Sequence, residues 1–147
     1  MITRAIGLII DAASAALKAD AGILAAFENK PVQVLQVVPE TGPTRVQSYP
    51  YVTFGAAEKR RLSESCGAER ARVTLYVQVW ADDKNIRRVS NIAEACEAPL
   101  LKLWLDAGTG LQITQRQHQL TRSNFDQDRQ LLYGLCQVEF DVSAISA

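Results

Sequence analysis

The sequence predicts an α+β fold: a mainly antiparallel β-sheet with helices packed on one face. Three observations carry that expectation. Residues 73, 75, 77 and 79 are Val, Leu, Val and Val, while Thr74, Tyr76, Gln78 and Trp80 alternate with them. Period two over eight residues, in β-branched and aromatic types, is a strand with one aliphatic face. Near the end of the chain Cys136, Val138, Phe140 and Val142 alternate with Gln137, Glu139 and Asp141, as in an antiparallel strand with one wet face. Helical spacing is confined to the start of the chain and one central segment, so strands cluster around a helix rather than alternating with several.

Each element can be justified in order. Residues 3–18 read as a helix, with Ile6, Ile9, Ile10, Ala13 and Leu17 on one face and Thr3 as candidate N-cap. Residues 19–27 continue as a further turn or second short helix, broken near Gly22. Val32–Val38 is a short strand, and Pro39–Pro43 is a loop by its turn chemistry. Pro50 has no amide to donate, so it opens a strand or lies on an edge; Tyr51–Phe54 then forms a short strand that Gly55 ends. Residues 56–71 read as one long charged loop, and the central strand runs on to Ala81. Asp82 or Asp83 caps a helix over 84–98, which Pro99 breaks or restarts. Asp106–Gly110 is a turn, 111–120 is polar-rich but strand-like, 121–128 is a polar connection, and 129–142 carries the last strand.

Composition bounds the function. The 147 residues are about one domain's worth, so 1–147 is taken as a single domain. Sixteen basic and sixteen acidic residues cancel, and no global charge points to nucleic acid or a membrane surface. The apolar run Ala5–Ile10 after Arg4 loosely resembles a secretion signal, but Asp11 closes it too soon. No stretch reaches the length of a membrane span. Cys66, Cys96 and Cys136 are far apart, which suits reduced, structural thiols better than a disulfide frame or zinc site.

The search for chemistry finds no catalytic, cofactor or metal set. His118, the only histidine, sits among Arg116, Gln117 and Gln119 and reads as a surface strand residue. Cys96 and Cys136 fall on apolar faces; Cys66 lies in the charged loop and is the one thiol expected to react. Gly108-Thr109-Gly110 is a turn signal rather than a phosphate cradle. Asp82-Asp83 and Asp126-Gln127-Asp128 read as caps and solvated turns rather than metal ligands. Lys59, Arg60 and Arg61, with Arg70 and Arg72, form a local basic cluster without interleaved aromatics, so any nucleic-acid contact would be to phosphates. Tyr51, Tyr76, Trp80 and Trp104 either complete the core or face another subunit.

The order Tyr49-Pro50-Tyr51-Val52-Thr53-Phe54-Gly55, a charged loop, Val77-Gln78-Val79-Trp80-Ala81, a helix, and Tyr133-Gly134-Leu135 before the last strand resembles the tail-completion, or tail-terminator, family of tailed phages, prophages and gene transfer agents. Asp128 and Gly134 fit the family's approach to its final strand. The likeness spans roughly residues 3–143. It implies a non-enzymatic protein without cofactor that assembles as a ring, commonly a hexamer, at the tail neck of a virion or phage-like particle after assembly in the host cytoplasm. Such a ring caps the tail tube, stops its polymerisation and meets the head-tail connector proteins, with DNA passing through its lumen. On this reading Lys59, Arg60 and Arg61 form a lumen- or tube-facing loop, and Tyr51, Tyr76 and Trp80 lie in the core or at a subunit interface. Two rival expectations are a binding module with a pocket on the Tyr76/Trp80 sheet face, and an enzyme using Cys66 as nucleophile.

Overall fold

The computed structural model describes residues 2–28, 32, 34–35, 50–62, 69–81, 86–127 and 131–145. Five strands form one sheet: β1 (Val34–Leu35), β2 (Tyr51–Arg61), β3 (Arg70–Ala81), β4 (Leu111–Asp126) and β5 (Leu131–Ala144), in the order β1-β2-β3-β5-β4. β1 runs parallel to β2, and all other neighbours are antiparallel. Helices α1 (Ala5–Ala19), α2 (Ala21–Ala26), α3 (Ile86–Ala95) and α4 (Glu97–Leu101) supply the second layer, and a short 3₁₀ turn (Ala107–Thr109) leads into β4. The α+β class and the one-sided helical cover expected from the sequence are what the chain adopts.

The core lies between that layer and the odd-numbered face of β3. Val73, Leu75, Val77 and Val79 are fully buried, as are Val138, Phe140 and Val142 of β5 and Ile9, Ala13 and Leu17 of α1. Alternation on two central strands and three-and-four spacing on a helix thus meet in one apolar layer, the dominant favourable term in folding. α3 packs directly on β5 at Gly134. A Cβ there would lie 2.8 Å from Ala93 Cβ and 2.9 Å from the Val89 carbonyl oxygen, so only glycine lets the helix backbone approach this closely.

Several expectations are corrected. Residues 56–61 and 70–71 are not loop: Ala56–Arg61 pair one by one with Tyr76–Ala71. Gly55 does not end the strand; it is the extra residue of a bulge between Phe54 and Ala56. The segment is polar because β1 pairs β2 only at Val52 and Thr53, so the rest of β2 is an edge among the described residues. Charged residues and a bulge are how sheets guard edges against pairing with other chains. Thr121–Asp126 are likewise strand, pairing with Cys136–Leu131 as the edge half of β4. The break between α1 and α2 falls at Asp20, whose carboxylate accepts the Ile23 amide at 3.0 Å, and Gly22 lies inside α2. Thr3 does not cap α1. The cap position is Arg4, left-handed at φ 60° and without a side-chain cap bond, because the chain enters from Ile2, buried and held between Lys59 and Glu69. The expected helix 84–98 is divided into α3 and α4 before Pro99, which sits inside α4. The expected loop 39–43, the caps Asp82 and Asp83, and Asp128 lie outside the described residues, as does most of the strand expected over 32–38.

Candidate functional site

Three surfaces carry the side chains that the sequence singled out. The first is the sheet face turned away from the helices. Here Arg72 of β3 donates to Asp141 of β5 through Nε at 2.8 Å and a terminal nitrogen at 3.3 Å, with Glu139 at 3.7 Å. Arg70 lies 3.8 Å from the same carboxylate. Asp141 is 3 % exposed, and a carboxylate that far from water needs such paired, bidentate partners. The hydrogen bond to Asp141, reinforced by its charge, pushes the Arg72 guanidinium pKa above its ordinary value. Next to it the Tyr76 hydroxyl donates to Glu58 at 2.7 Å, and that bond raises the phenol's pKa. The cleft among Glu58, Arg60, Arg72, Tyr76 and Glu139 holds about 180 Å³, below the range of small-molecule sites.

At the other end of that face the large rings are inside the subunit. Tyr51 and Trp80 are each 2 % exposed and sit opposite one another across β2 and β3. Trp80 donates its indole N–H to Thr53 Oγ1 at 3.0 Å and stacks, tilted, on Tyr133 with ring centroids 5.2 Å apart. Of the three residues expected in the core or at an interface, two are core, with no surface left to offer a neighbour. Tyr76 alone is half-buried.

The second surface is the far end of the β2–β3 hairpin. Lys59, Arg60 and Arg61 are all exposed strand residues, but they do different things. Lys59 Nζ donates to the Ile2 carbonyl at 2.7 Å, and Glu69 Oε1 accepts the Ile2 amide at 2.6 Å. These two side chains clamp the start of α1 to the hairpin. Arg60 lies opposite Arg72 and Arg61 opposite Ala71, so the two arginines project to opposite faces of the hairpin end. Over residues 58–72, five basic side chains stand against three acidic ones.

The third surface was not foreseen. A cleft of about 690 Å³ lies between α1 and the Pro99–Asp106 segment, floored by Leu8, Ala12, Ala16 and Leu103 and rimmed by Asp11, Asp20, Lys102 and Asp106. Trp104 is on its wall and 66 % exposed. In the sequence Trp104 stands in the cluster Leu100-Leu101-Lys102-Leu103-Trp104-Leu105 and reads either as core or as facing another subunit; the helix ends at Leu101, and from there spacing no longer fixes which side faces inward.

Two of the three thiols, Cys96 and Cys136, are among the described residues. Burial raises the Cys96 thiol far above its ordinary pKa and pushes Cys136 up to about 11, the latter against a lowering hydrogen bond to Thr121. Such thiols are inert as nucleophiles. Cys66 is outside the described residues. His118 Nε2 meets Thr121 Oγ1 at 2.6 Å and its Nδ1 lies 3.7 Å from Glu97, joining β4 to α4 in a structural role. No cluster of His, Cys, Asp and Glu among the described residues could hold a metal, and no helix there is long and apolar enough to cross a membrane.

Comparison with known proteins gives two findings. The family model described as "Tail completion protein gp17" matches residues 11–145. A chain of the solved structure "Virion of native gene transfer agent (GTA) particle" is similar in fold, with a TM-score of 0.75 at 16 % identity, covering 97 % of this chain and 100 % of that one. No curated protein sequence matches the chain.

Proposed function

The chain belongs to the tail completion protein gp17 family, and from that premise we propose that it caps the head-proximal end of a tail tube as a ring, stops tube polymerisation and joins the tail to the head connector. The observation that carries this reading is the family match over residues 11–145. The similar chain in a gene transfer agent virion supports a place in a virion or phage-like particle, reached after assembly in the host cytoplasm. The mechanism is geometric. A subunit that repeats around a ring needs two different surfaces that meet head to tail and close, and its two ring faces must differ so that only one matches the tube. This subunit has unlike surfaces to use: a polar, ion-paired sheet face, a basic hairpin end and an apolar cleft. Nothing in the mechanism requires chemistry.

The test is the mass of the purified protein by light scattering over a concentration series. A mass approaching six subunits supports a pre-formed hexameric ring. A protein that stays monomeric alone, and also fails to bind purified tail tubes, removes the capping reading.

A further inference from the structure

We propose that the cleft beside Trp104 is the acceptor half of a subunit–subunit contact, and that its occupant is the Arg60–Arg61 end of the β2–β3 hairpin of a second copy of this chain. The inference rests on the ring reading above and names the surfaces that would close the ring.

Complementary charge is the first argument. The cleft has an apolar floor and an unequal rim: Asp11, Asp20 and Asp106 against Lys102. An acidic-rimmed apolar trough with an indole on its wall suits a guanidinium on an aliphatic stem. The stem covers apolar surface while the planar head stacks on the ring and pairs with a carboxylate. The hairpin end offers two such groups on opposite faces of one strand, Arg60 and Arg61, both exposed. Its backbone is held by ladder bonds on the β3 side and by the Lys59 and Glu69 clamps on Ile2.

The second argument is placement. Ile2, just before α1, is fixed to the hairpin end, whereas the cleft lines α1 from Leu8 to Ala19. Neither Arg60 nor Arg61 is among the residues that line the cleft of their own subunit. The two patches are separate on one subunit, so the contact forms between copies. Donor and acceptor are different patches of the same chain, which gives the heterologous, head-to-tail interface that a closed ring requires. Trp104 has the character of a contact anchor, since tryptophan and arginine dominate the energetic centres of protein interfaces.

The experiment compares self-association of the full chain by sedimentation velocity for the wild type, Arg60→Glu/Arg61→Glu, Asp11→Arg/Asp106→Arg, Trp104→Ala, and the chain carrying all four charge reversals. Circular dichroism and melting confirm the fold of each; all five positions are exposed, so native melting is expected. Each double reversal is expected to raise the concentration of half-assembly at least tenfold, and Trp104→Ala about tenfold. The fourfold reversal restores assembly to within a few-fold of wild type, which general loss of basic charge would not do. Wild-type rings with unchanged assembly in Arg60→Glu/Arg61→Glu overturn this contact and leave the ring reading standing. So do intact rings that no longer bind tubes, which assign the arginines to the tube instead. Failure of the fourfold variant to recover overturns the pairing of these two patches. A wild type that never self-associates, alone or on tubes, overturns the ring and this contact together.

Discussion

β3 and β4 are the two ends of a contrast within one sheet. β3 has a neighbour on each side and helices over one face, and its burial alternates strictly from Ala71 to Val79. β4 is longer, 16 residues, but among the described residues it pairs only with β5, and it buries only Leu111. Where it faces the helical layer it meets it through polar groups: Ser123 with Ser90 of α3 at 2.7 Å, His118 with Glu97 of α4, and Arg116 with the Leu103 carbonyl just beyond α4. Two bulges, at Thr114 and Gln119, interrupt its ladder. The difference teaches where stability resides and where surface is free to serve assembly. Buried apolar area holds the centre; the edges are kept polar and irregular, which prevents indiscriminate strand pairing.

That contrast can be broken at measurable points. Leu75→Ala, at the middle of β3, is expected to cost about 2–5 kcal/mol in urea unfolding, since the cavity lies where nothing can collapse to fill it; a cost under about 1 kcal/mol would show the centre is not the keystone. Gly134→Ala sets a methyl against Ala93 and Val89 of α3 and is expected to cost about 1–3 kcal/mol. Asp141→Asn removes the charge that Arg70 and Arg72 share. Because the Arg72 side chain is 30 % exposed, solvent screens the pair, and about 1–2 kcal/mol is expected rather than the full penalty of a buried ion pair. Ser123→Ala on β4 should stay within about 1 kcal/mol. The smallest effect is none: in a Cys66→Ser chain at pH 8, an alkylating reagent should leave Cys96 and Cys136 unmodified until denaturant is added. Below a raised pKa the thiol keeps its proton, and both pKa values lie above that pH.

The same contrast explains what was legible in the sequence. Val73–Val79 and Cys136–Val142 announce themselves because both neighbours and the cover make one face uniformly apolar. The outer halves of β2 and β4 do not. Ala56–Arg61 and Thr121–Asp126 are strands only by virtue of partners 10 to 20 positions or 5 to 15 positions away, and an edge selects charge over alternation. Tyr51 and Trp80 sit on the nominally wet face yet are buried through cross-strand pairing and the stack on Tyr133, which single-strand periodicity cannot reveal. Lys59, Arg60 and Arg61 read alike as a basic run, but strand alternation puts Arg61 on the face of Lys59, which clamps Ile2, and Arg60 on the other. The family, in contrast, was legible from short structural strings in order, because Pro50, Gly55 and Gly134 mark a strand start, a bulge and a close helix approach that the fold needs.

The most direct measurement is tail-tube growth in the presence of this chain. Purified tube protein would be polymerised with increasing amounts of the labelled subunit, and tube length and label position scored by electron microscopy. Capping gives shorter tubes with label at one end only, saturating at about one ring per tube. Tubes of unchanged length, or label distributed along their walls, would contradict it.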